Sequence, residues 1–208
     1  MYNASLLRCR HVHKHQQGYA LLIAVLSLLL ILMLIDQSRA ADLNVKQTGA
    51  WFSFIMNAPS QATWIRINTS SPSGASFAFD FGQANTIPLL ALPLQAPAIQ
   101  MTIAQMGMPL PGQPFILRGS ARVDTNGIMP VTYSCTLENG MAWMIVTGMT
   151  GDIIRQCVNG KTLRLKIDVG AMSYFYNFSL HGFTGAIQRA ANLYESQFGS
   201  LIPDSLYF

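Results

Sequence analysis

The sequence predicts a mainly β protein, in which a single antiparallel β-sandwich-like domain carries a short helix and a C-terminal helix. Three observations predict this fold class. About eight short runs of β-branched and aromatic residues, separated by turn-type spacers, recur from residue 50 to residue 180. Two segments in the second half carry capping residues and apolar residues at helical spacing. An apolar leader, expected to form a signal or anchor helix, precedes all of them.

The leader has the organisation of an export signal. Its first 18 residues contain basic residues and histidines but no acid, and residues 19–35, YALLIAVLSLLLILMLI, are almost entirely apolar. A small-residue cleavage pattern ends at Ala40. We therefore predict a signal peptide or signal anchor over 1–40 and an exported β-rich domain over 41–208. Because an apolar helix of this length covers only about 25 Å, cleavage and anchoring both stay open. Either outcome places the domain in the periplasm of a bacterium, or anchored in the inner membrane and facing it.

Export changes the interpretation of the charge. The chain has a net charge of +4, but four of its 13 basic residues and one of its nine acids precede residue 41. The exported part therefore holds nine basic and eight acidic residues, a net charge of +1. Its basic residues show no cluster along the sequence, so no nucleic-acid partner is predicted.

The cysteines fit the same compartment. Cys9 lies in the leader, which leaves Cys135 and Cys157 in the exported part. An even pair in an oxidising space predicts a disulfide, which would close a loop of about 23 residues and contribute roughly 3 kcal/mol. Two buried thiols are the alternative.

The expected strands follow one another along the exported part. ASFAFDF (75–81) alternates phenylalanine with small or acidic residues, which is the period of a half-buried strand. PFILRGSARVD (114–124) separates apolar and small residues from charged ones in the same way. TIPLLALPLQAP (86–97) contains three prolines, which lack a ladder donor, so we expect an extended connection or a sheet edge there. The remaining strands are expected in AWFSFIMN, ATWIRINT, PVTYSCT, MAWMIVTG, TLRLKID and SYFYNFSL.

Two helices complete the set. TGDIIRQCVNGK can begin with Thr150 as its N-cap and end at Gly160. TGAIQRAANLYESQFG, residues 184–199, carries an apolar stripe at helical spacing. Just before it, Gly182 permits a backbone conformation closed to other residues at a strand-to-helix corner, and Phe183 is expected to anchor that corner in the core. This unit is interpreted as packing and not as catalysis.

No enzyme, metal site or cofactor is predicted. The exported part has one histidine, His181, and no G-x-S-x-G elbow to supply a nucleophilic serine. The histidines at 11–15 lie in the leader, and zinc-type spacings are absent. The acids are scattered near turns, and GMTGD (148–152) lacks the lysine of a phosphate-binding loop. No small-molecule substrate is therefore evident.

Methionines suggest a contact surface. Met101, Met106 and Met108 follow the proline-rich segment 86–97. Because methionine side chains adapt to varied partners, these residues are a candidate docking patch for other envelope proteins. The alternative is that they fill an irregular core.

Residues 106–190 resemble a known family. MGMPLPGQPFILRGSARVDTNGIMPVTYSC, GKTLRLKI and YNFSLHGFTGAIQRA are similar to the invasion-associated locus B family of bacterial exported proteins, as is Gly49-x-Trp51 near the start of the domain. The resemblance implies a signal peptide, a small β-rich domain and a non-enzymatic role in host-cell interaction or stress survival. The sequence departs from the family because no second cysteine closely follows Cys135.

The leader also permits a different function. QQGYALLIAV resembles the processing region of minor type IV prepilins, with cleavage after Gly18, although Ile23 stands where an acid is usual. A structural subunit of a secretion, conjugation or type IV pilus apparatus is therefore the alternative function. The mature N-terminus separates these cases: Ala41 for a signal peptide, Tyr19 for a pilin-like subunit, and Met1 for an anchored protein whose partners include the inner membrane.

Overall fold

The computed structural model describes residues 42–57, 63–83, 85–107, 113–149 and 152–199, all within one compact unit. The leader expected over 1–40 lies outside these residues. Of the helices in the described ranges, none has the length and apolar character needed to cross a membrane. The strands are Asp42–Thr48 (β1), Trp51–Asn57 (β2), Thr63–Ser70 (β3), Ser76–Phe81 (β4), Thr86–Pro93 (β5), Phe115–Val123 (β6), Met129–Glu138 (β7), Met141–Thr147 (β8), Thr162–Val169 (β9) and Met172–Ser179 (β10); the helices are Pro97–Met106 (α1), Asp152–Asn159 (α2) and Phe183–Phe198 (α3).

All ten strands form one antiparallel sheet, in the order β1-β2-β3-β4-β5-β8-β7-β6-β9-β10. Most neighbours are hairpin-connected, and β7 and β8 meet at a two-residue Asn139-Gly140 turn with φ of 52° and 77°. This positive-φ pair is the turn type whose twist matches that of the strands. The expected mainly β class is confirmed, with ten described strands where about eight were expected.

The proline-rich segment is a correction to the sequence interpretation. Residues 86–93 form β5, which lies inside the sheet between β4 and β8 rather than at an edge. Pro88 lies just beyond the last β5–β8 pair, Leu89 with Ile145, and Pro93 pairs with Met141 at the other end. Both prolines thus lie at or beyond the ends of the β5–β8 ladder, which keeps its central donors, whereas Pro88 lies inside the β4–β5 ladder, opposite Phe79.

The helices agree with the sequence in two cases out of three. α2 ends at Asn159, just before Gly160, and α3 begins and ends within one residue of its expected bounds. Thr150, the expected N-cap of α2, lies outside the described residues. Helix α1 was not expected, although Pro97 at its first turn is a residue that commonly starts helices.

The core lies between the two halves of the curled sheet and under α3. Phe77 of β4 approaches Phe178 of β10, with ring centroids 5.5 Å apart, so the two halves face each other as in a sandwich. Helix α3 packs against β2 and β3, and Phe183 at its start lies 6.0 Å from Phe79. Fully buried aromatic residues thus join strands from both halves to the C-terminal helix.

Candidate functional site

The outer face of β6, β9 and β10 carries an unusual set of side chains. Alternate residues of a strand point to opposite faces of a sheet, and in β6 and β9 the odd-numbered apolar residues are buried. The even-numbered residues of these strands and Phe175 of β10 therefore face outward. Together they line a concave cavity of about 390 Å³, here called the basic groove; its lining residues are Gly119, Ser120, Arg122, Ile128, Pro130, Arg164, Lys166 and Phe175.

Strand register sets the order of side chains in the basic groove. Arg122 of β6 pairs directly with Arg164 of β9, and one step along the strands Ser120 pairs with Lys166. Lys166 in turn pairs with Phe175 of β10. The groove therefore has a row with two arginines beside a row with a lysine and an aromatic ring.

The two arginines face each other without an acid between them. The ion pairs of the described residues are Arg66–Asp80, Arg155–Asp152 and Lys166–Asp168, so neither Arg122 nor Arg164 takes part in one. The Arg164 Nε donates to Asn177 Oδ1 at 2.9 Å, which fixes its orientation without neutralising it. Like charges placed directly opposite in a sheet destabilise it. The fold therefore tolerates a local cost at this position.

Asp168 neutralises Lys166 at one end of the basic groove. The Lys166 Nζ lies 3.1 Å from Asp168 Oδ1, and the Ser173 hydroxyl donates to the same oxygen at 2.6 Å. Burial disfavours the charged form of this carboxylate, but the bonds from Ser173 and Lys166 outweigh it and lower the pKa of Asp168. Counting Arg118, four of the nine basic residues after residue 41 lie on this face, so the clustering absent from the linear sequence arises through strand register.

Two apolar side chains flank these charges. Ile128, in the β6–β7 connection, is 66% exposed, and Phe175 on β10 is 58% exposed. Ile116, farther along the same face of β6, is 57% exposed. Large apolar residues beside arginines are the composition that protein interfaces favour, and an exposed apolar group rimmed by polar ones commonly marks a contact surface.

The floor of the basic groove is held by a tyrosine on the opposite face of the sheet. The buried Tyr133 hydroxyl donates to the backbone oxygen of Lys166 at 3.0 Å, passing over Gly119. A Cβ atom at 119 would collide with that oxygen and lie 3.0 Å from the Tyr133 ring, so only glycine fits here. Burial raises the pKa of Tyr133 well above its usual value, which keeps the phenol protonated as a donor. No local sequence pattern indicates this role of Gly119.

Gly182 and Phe183 lie where the turn between β10 and α3 packs against the β1–β2 turn at Gly49. This contact between two glycine-containing turns is here called the glycine crossing. Gly182 has φ of 87° at the start of α3, and Phe183 is fully buried. The Ala50 N–H donates to the His181 oxygen at 2.9 Å, and the Trp51 Nε1–H donates to the Ser179 oxygen at 2.8 Å. These bonds join residues that are about 130 positions apart in the sequence.

The two cysteines are free and buried, which differs from the expected disulfide. Cys135 lies on the core face of β7 and Cys157 on the buried face of α2. Burial raises the pKa of each thiol to about 12. The structure thus contains the alternative arrangement, two protonated core thiols with low nucleophilicity.

The methionine patch is only partly assembled. Met101 is half-buried and packs against the core, whereas Met106 at the end of α1 is 61% exposed. Met108 lies outside the described residues. Met101 therefore packs with the core, whereas Met106 lies at the surface.

The remaining candidate side chains have structural roles or stand apart. Asp124 accepts hydrogen bonds from the backbone N–H groups of Lys161 and Thr162, both at 2.9 Å, and so closes the turn before β9. His181 is exposed beside the glycine crossing. In the described part of the chain, no three His, Cys, Asp or Glu residues are grouped so as to hold a metal ion.

Comparison with known proteins finds likeness to solved structures. No protein-family model matches the chain, and no curated protein does. The chain is similar to the crystal structure of invasion associated protein B from Bartonella henselae, with a TM-score of 0.46 and 14% sequence identity, over 73% of this chain and 98% of that one.

Proposed function

We propose that this chain is an exported, non-enzymatic binding protein of the bacterial envelope that contacts another protein through the basic groove. The observation that carries the proposal is the Arg122–Arg164 pair, which is opposed across two strands and flanked by exposed Ile128 and Phe175. A binding partner would offset both the charge repulsion and the exposure of apolar surface.

The construction of the basic groove supports this proposal. Its arginines and Phe175 stand on strands rather than on a mobile loop, and the Tyr133–Lys166 hydrogen bond fixes the backbone beneath them. Preformed arginine and aromatic groups carry much of the energy of protein interfaces because they lose little freedom on binding.

The cellular setting is proposed from the sequence. The apolar leader favours export, and the resemblance of residues 106–190 to the invasion-associated locus B family favours a role in host-cell interaction. Mass spectrometry of the N-terminus of the protein recovered from cell envelopes tests export: Ala41 is expected, and a cytoplasmic protein starting at Met1 would contradict it.

Site-specific cross-linking in intact cells tests the contact itself. A photoreactive phenylalanine derivative in place of Phe175 should give a discrete cross-linked product, because Phe175 lines the basic groove. The same derivative at Asn192, exposed on α3, is the matched control and should give none. Charge reversal of Arg122 and Arg164 should remove the product at 175. Equal products at both positions, or a product insensitive to the charge reversal, would contradict a partner bound at this groove.

A further inference from the structure

We propose that the basic groove receives an extended acidic peptide segment, in which one carboxylate is held between Arg122 and Arg164 and a nearby apolar side chain contacts Phe175. This inference rests on the proposed function and specifies the chemistry of the partner.

The paired arginines form a receptor for a carboxylate. Side chains directly opposite in antiparallel strands have Cβ atoms about 5 Å apart, so two guanidinium groups can reach one acid placed between them. Each guanidinium presents a planar fork of donors that matches the two oxygens of a carboxylate. Because Arg164 already uses its Nε on Asn177, its terminal nitrogens remain for a ligand. Among the described residues, no acid lies within ion-pair distance of either arginine.

The next row of the basic groove explains why the ligand should be a peptide. Ser120 and Lys166 lie two residues from Arg122 and Arg164 along the same strands, which is a shift of about 7 Å. In an extended peptide, side chains two residues apart lie on one face at the same spacing. Lys166 is already paired with Asp168, and Phe175 stands beside it, so this row favours an apolar side chain over a second acid.

The shape and charge of this face favour a peptide over an anionic membrane. The arginines lie in a concave cavity between Ile128 and Phe175, where a single strand of peptide fits better than a flat lipid surface. Asp168 lies on the same face and is negatively charged at neutral pH, as an aspartate ordinarily is. A continuous sheet of anionic head groups would meet this carboxylate, whereas a short segment with one acid avoids it.

Fluorescence anisotropy with defined probes tests this inference on the protein as the producing cell processes it. The probe is a dye-labelled, end-blocked hexapeptide with a glutamate and, two residues later, a leucine. Matched probes carry glutamine for the glutamate or serine for the leucine. The glutamate–leucine probe should bind at least about ten-fold more tightly than the glutamine probe at low salt, and the difference should shrink as salt screens the charges. The serine probe should also bind more weakly.

Variants complete the test. The double variant R122Q/R164Q should lose the preference for glutamate, whereas R155Q, which changes an exposed arginine on α2, should keep it. Both variants are checked for a thermal unfolding transition no lower than that of the unmodified protein. Amide chemical shifts of the unmodified protein should move around β6, β9 and β10 when the probe is added. Equal binding of the glutamate and glutamine probes, or a preference that persists in R122Q/R164Q, would overturn the inference. Arginine-dependent binding to phosphatidylglycerol vesicles, without binding of the peptide, would overturn it in favour of a lipid.

Failure of the acidic-peptide inference and failure of the proposed function give different experimental results. A cross-link at position 175 that depends on the arginines, without peptide preference, would refute only the acidic chemistry. Peptide binding without any cellular cross-link would support the chemistry and refute the proposed contact in the envelope.

Discussion

Replacing Gly182 with alanine adds a single methyl group but should destabilise the fold strongly. A Cβ atom at 182 would overlap the Thr48 oxygen, lie 2.5 Å from the Thr48 carbonyl carbon and lie 2.8 Å from the Gly49 Cα. These are backbone atoms of the β1–β2 turn, so no side chain can rotate away to make room. The φ of 87° adds a conformational cost of about 1–2 kcal/mol for a residue with a Cβ.

Relief of this overlap requires the β1–β2 turn to move away from the start of α3. That movement would break the Ala50–His181 backbone hydrogen bond of 2.9 Å and weaken the Trp51–Ser179 bond of 2.8 Å, each worth about 1 kcal/mol. It would also disturb the edge-on contact of Trp51 with Phe183, whose ring centroids are 4.8 Å apart, worth about 1 kcal/mol. With the backbone cost included, we expect the free energy of unfolding to fall by about 4 kcal/mol.

Urea unfolding followed by tryptophan fluorescence measures this loss. Gly140→Ala is the matched control, because Gly140 has a similar φ of 77° but no atom within 4 Å of its would-be Cβ. The control isolates the backbone cost, so it should lose only about 1–2 kcal/mol. If both variants lost the same amount within about 0.5 kcal/mol, the close backbone approach would not contribute to stability and the reasoning would fail.

Further predictions concern the basic groove, the thiols and the turn before β9. The R122Q/R164Q variant should keep or raise the free energy of unfolding, by up to about 0.5 kcal/mol, because it removes an opposed like-charge pair; a loss above about 1 kcal/mol in thermal or urea unfolding would contradict this. Cys135 and Cys157, whose pKa values burial raises to about 12, should resist iodoacetamide at pH 8 in the native state, and both should react in urea without a reductant. If labelling in urea required a reductant, the two cysteines would be joined by a disulfide and the free-thiol arrangement would be contradicted. Asp124→Asn should lower the free energy of unfolding by about 1 kcal/mol, because one of the two accepting oxygens becomes a donor facing a backbone N–H; thermal unfolding of the variant checks this, and an unchanged transition would contradict the role of the carboxylate.

Much of the fold follows from local sequence patterns. The apolar stripe of α3 describes the helix and its buried face, and the alternating phenylalanines describe strand β4. The expectation that β4 is half-buried is wrong, because Ala78 and Asp80 on its other face are buried as well. β1 was missed because its sequence, DLNVKQT, is mostly polar and belongs to an edge strand. β5 was expected at an edge because proline lacks a ladder donor, yet it pairs on both sides, and Pro88 lies opposite Phe79 of β4. Such errors arise because the position of a strand in the sheet depends on its pairing with residues that are distant in the sequence.

The candidate site depends almost entirely on pairing. Arg122 and Arg164 are 42 positions apart, and only the register of β6 with β9 places them opposite each other. A register shift of one residue would turn one of these side chains into the core. Gly119 was recognisable as a strand glycine, but its function in admitting Tyr133 depends on the position of Lys166 in a third strand. The composition of the part after residue 41 indicates a net charge close to neutral. The register of β6 with β9 nevertheless places four of its nine basic residues on one face of the sheet.

The glycine crossing and the basic groove are mechanically connected through β10. This strand is at the end of the sheet, and among the described strands it pairs with β9 alone, on one of its two edges. Its other supports in the described residues include the Trp51 bond to the Ser179 oxygen and the contact of Phe178 with Phe77. Phe175 lies on the same strand, four residues before Ser179, and forms one wall of the groove. Because an edge strand is the part of a sheet most prone to local opening, the crossing that holds its end also holds the wall of the binding surface. The start of β2 and the end of β10 therefore meet in space at the point on which the geometry of the proposed contact depends.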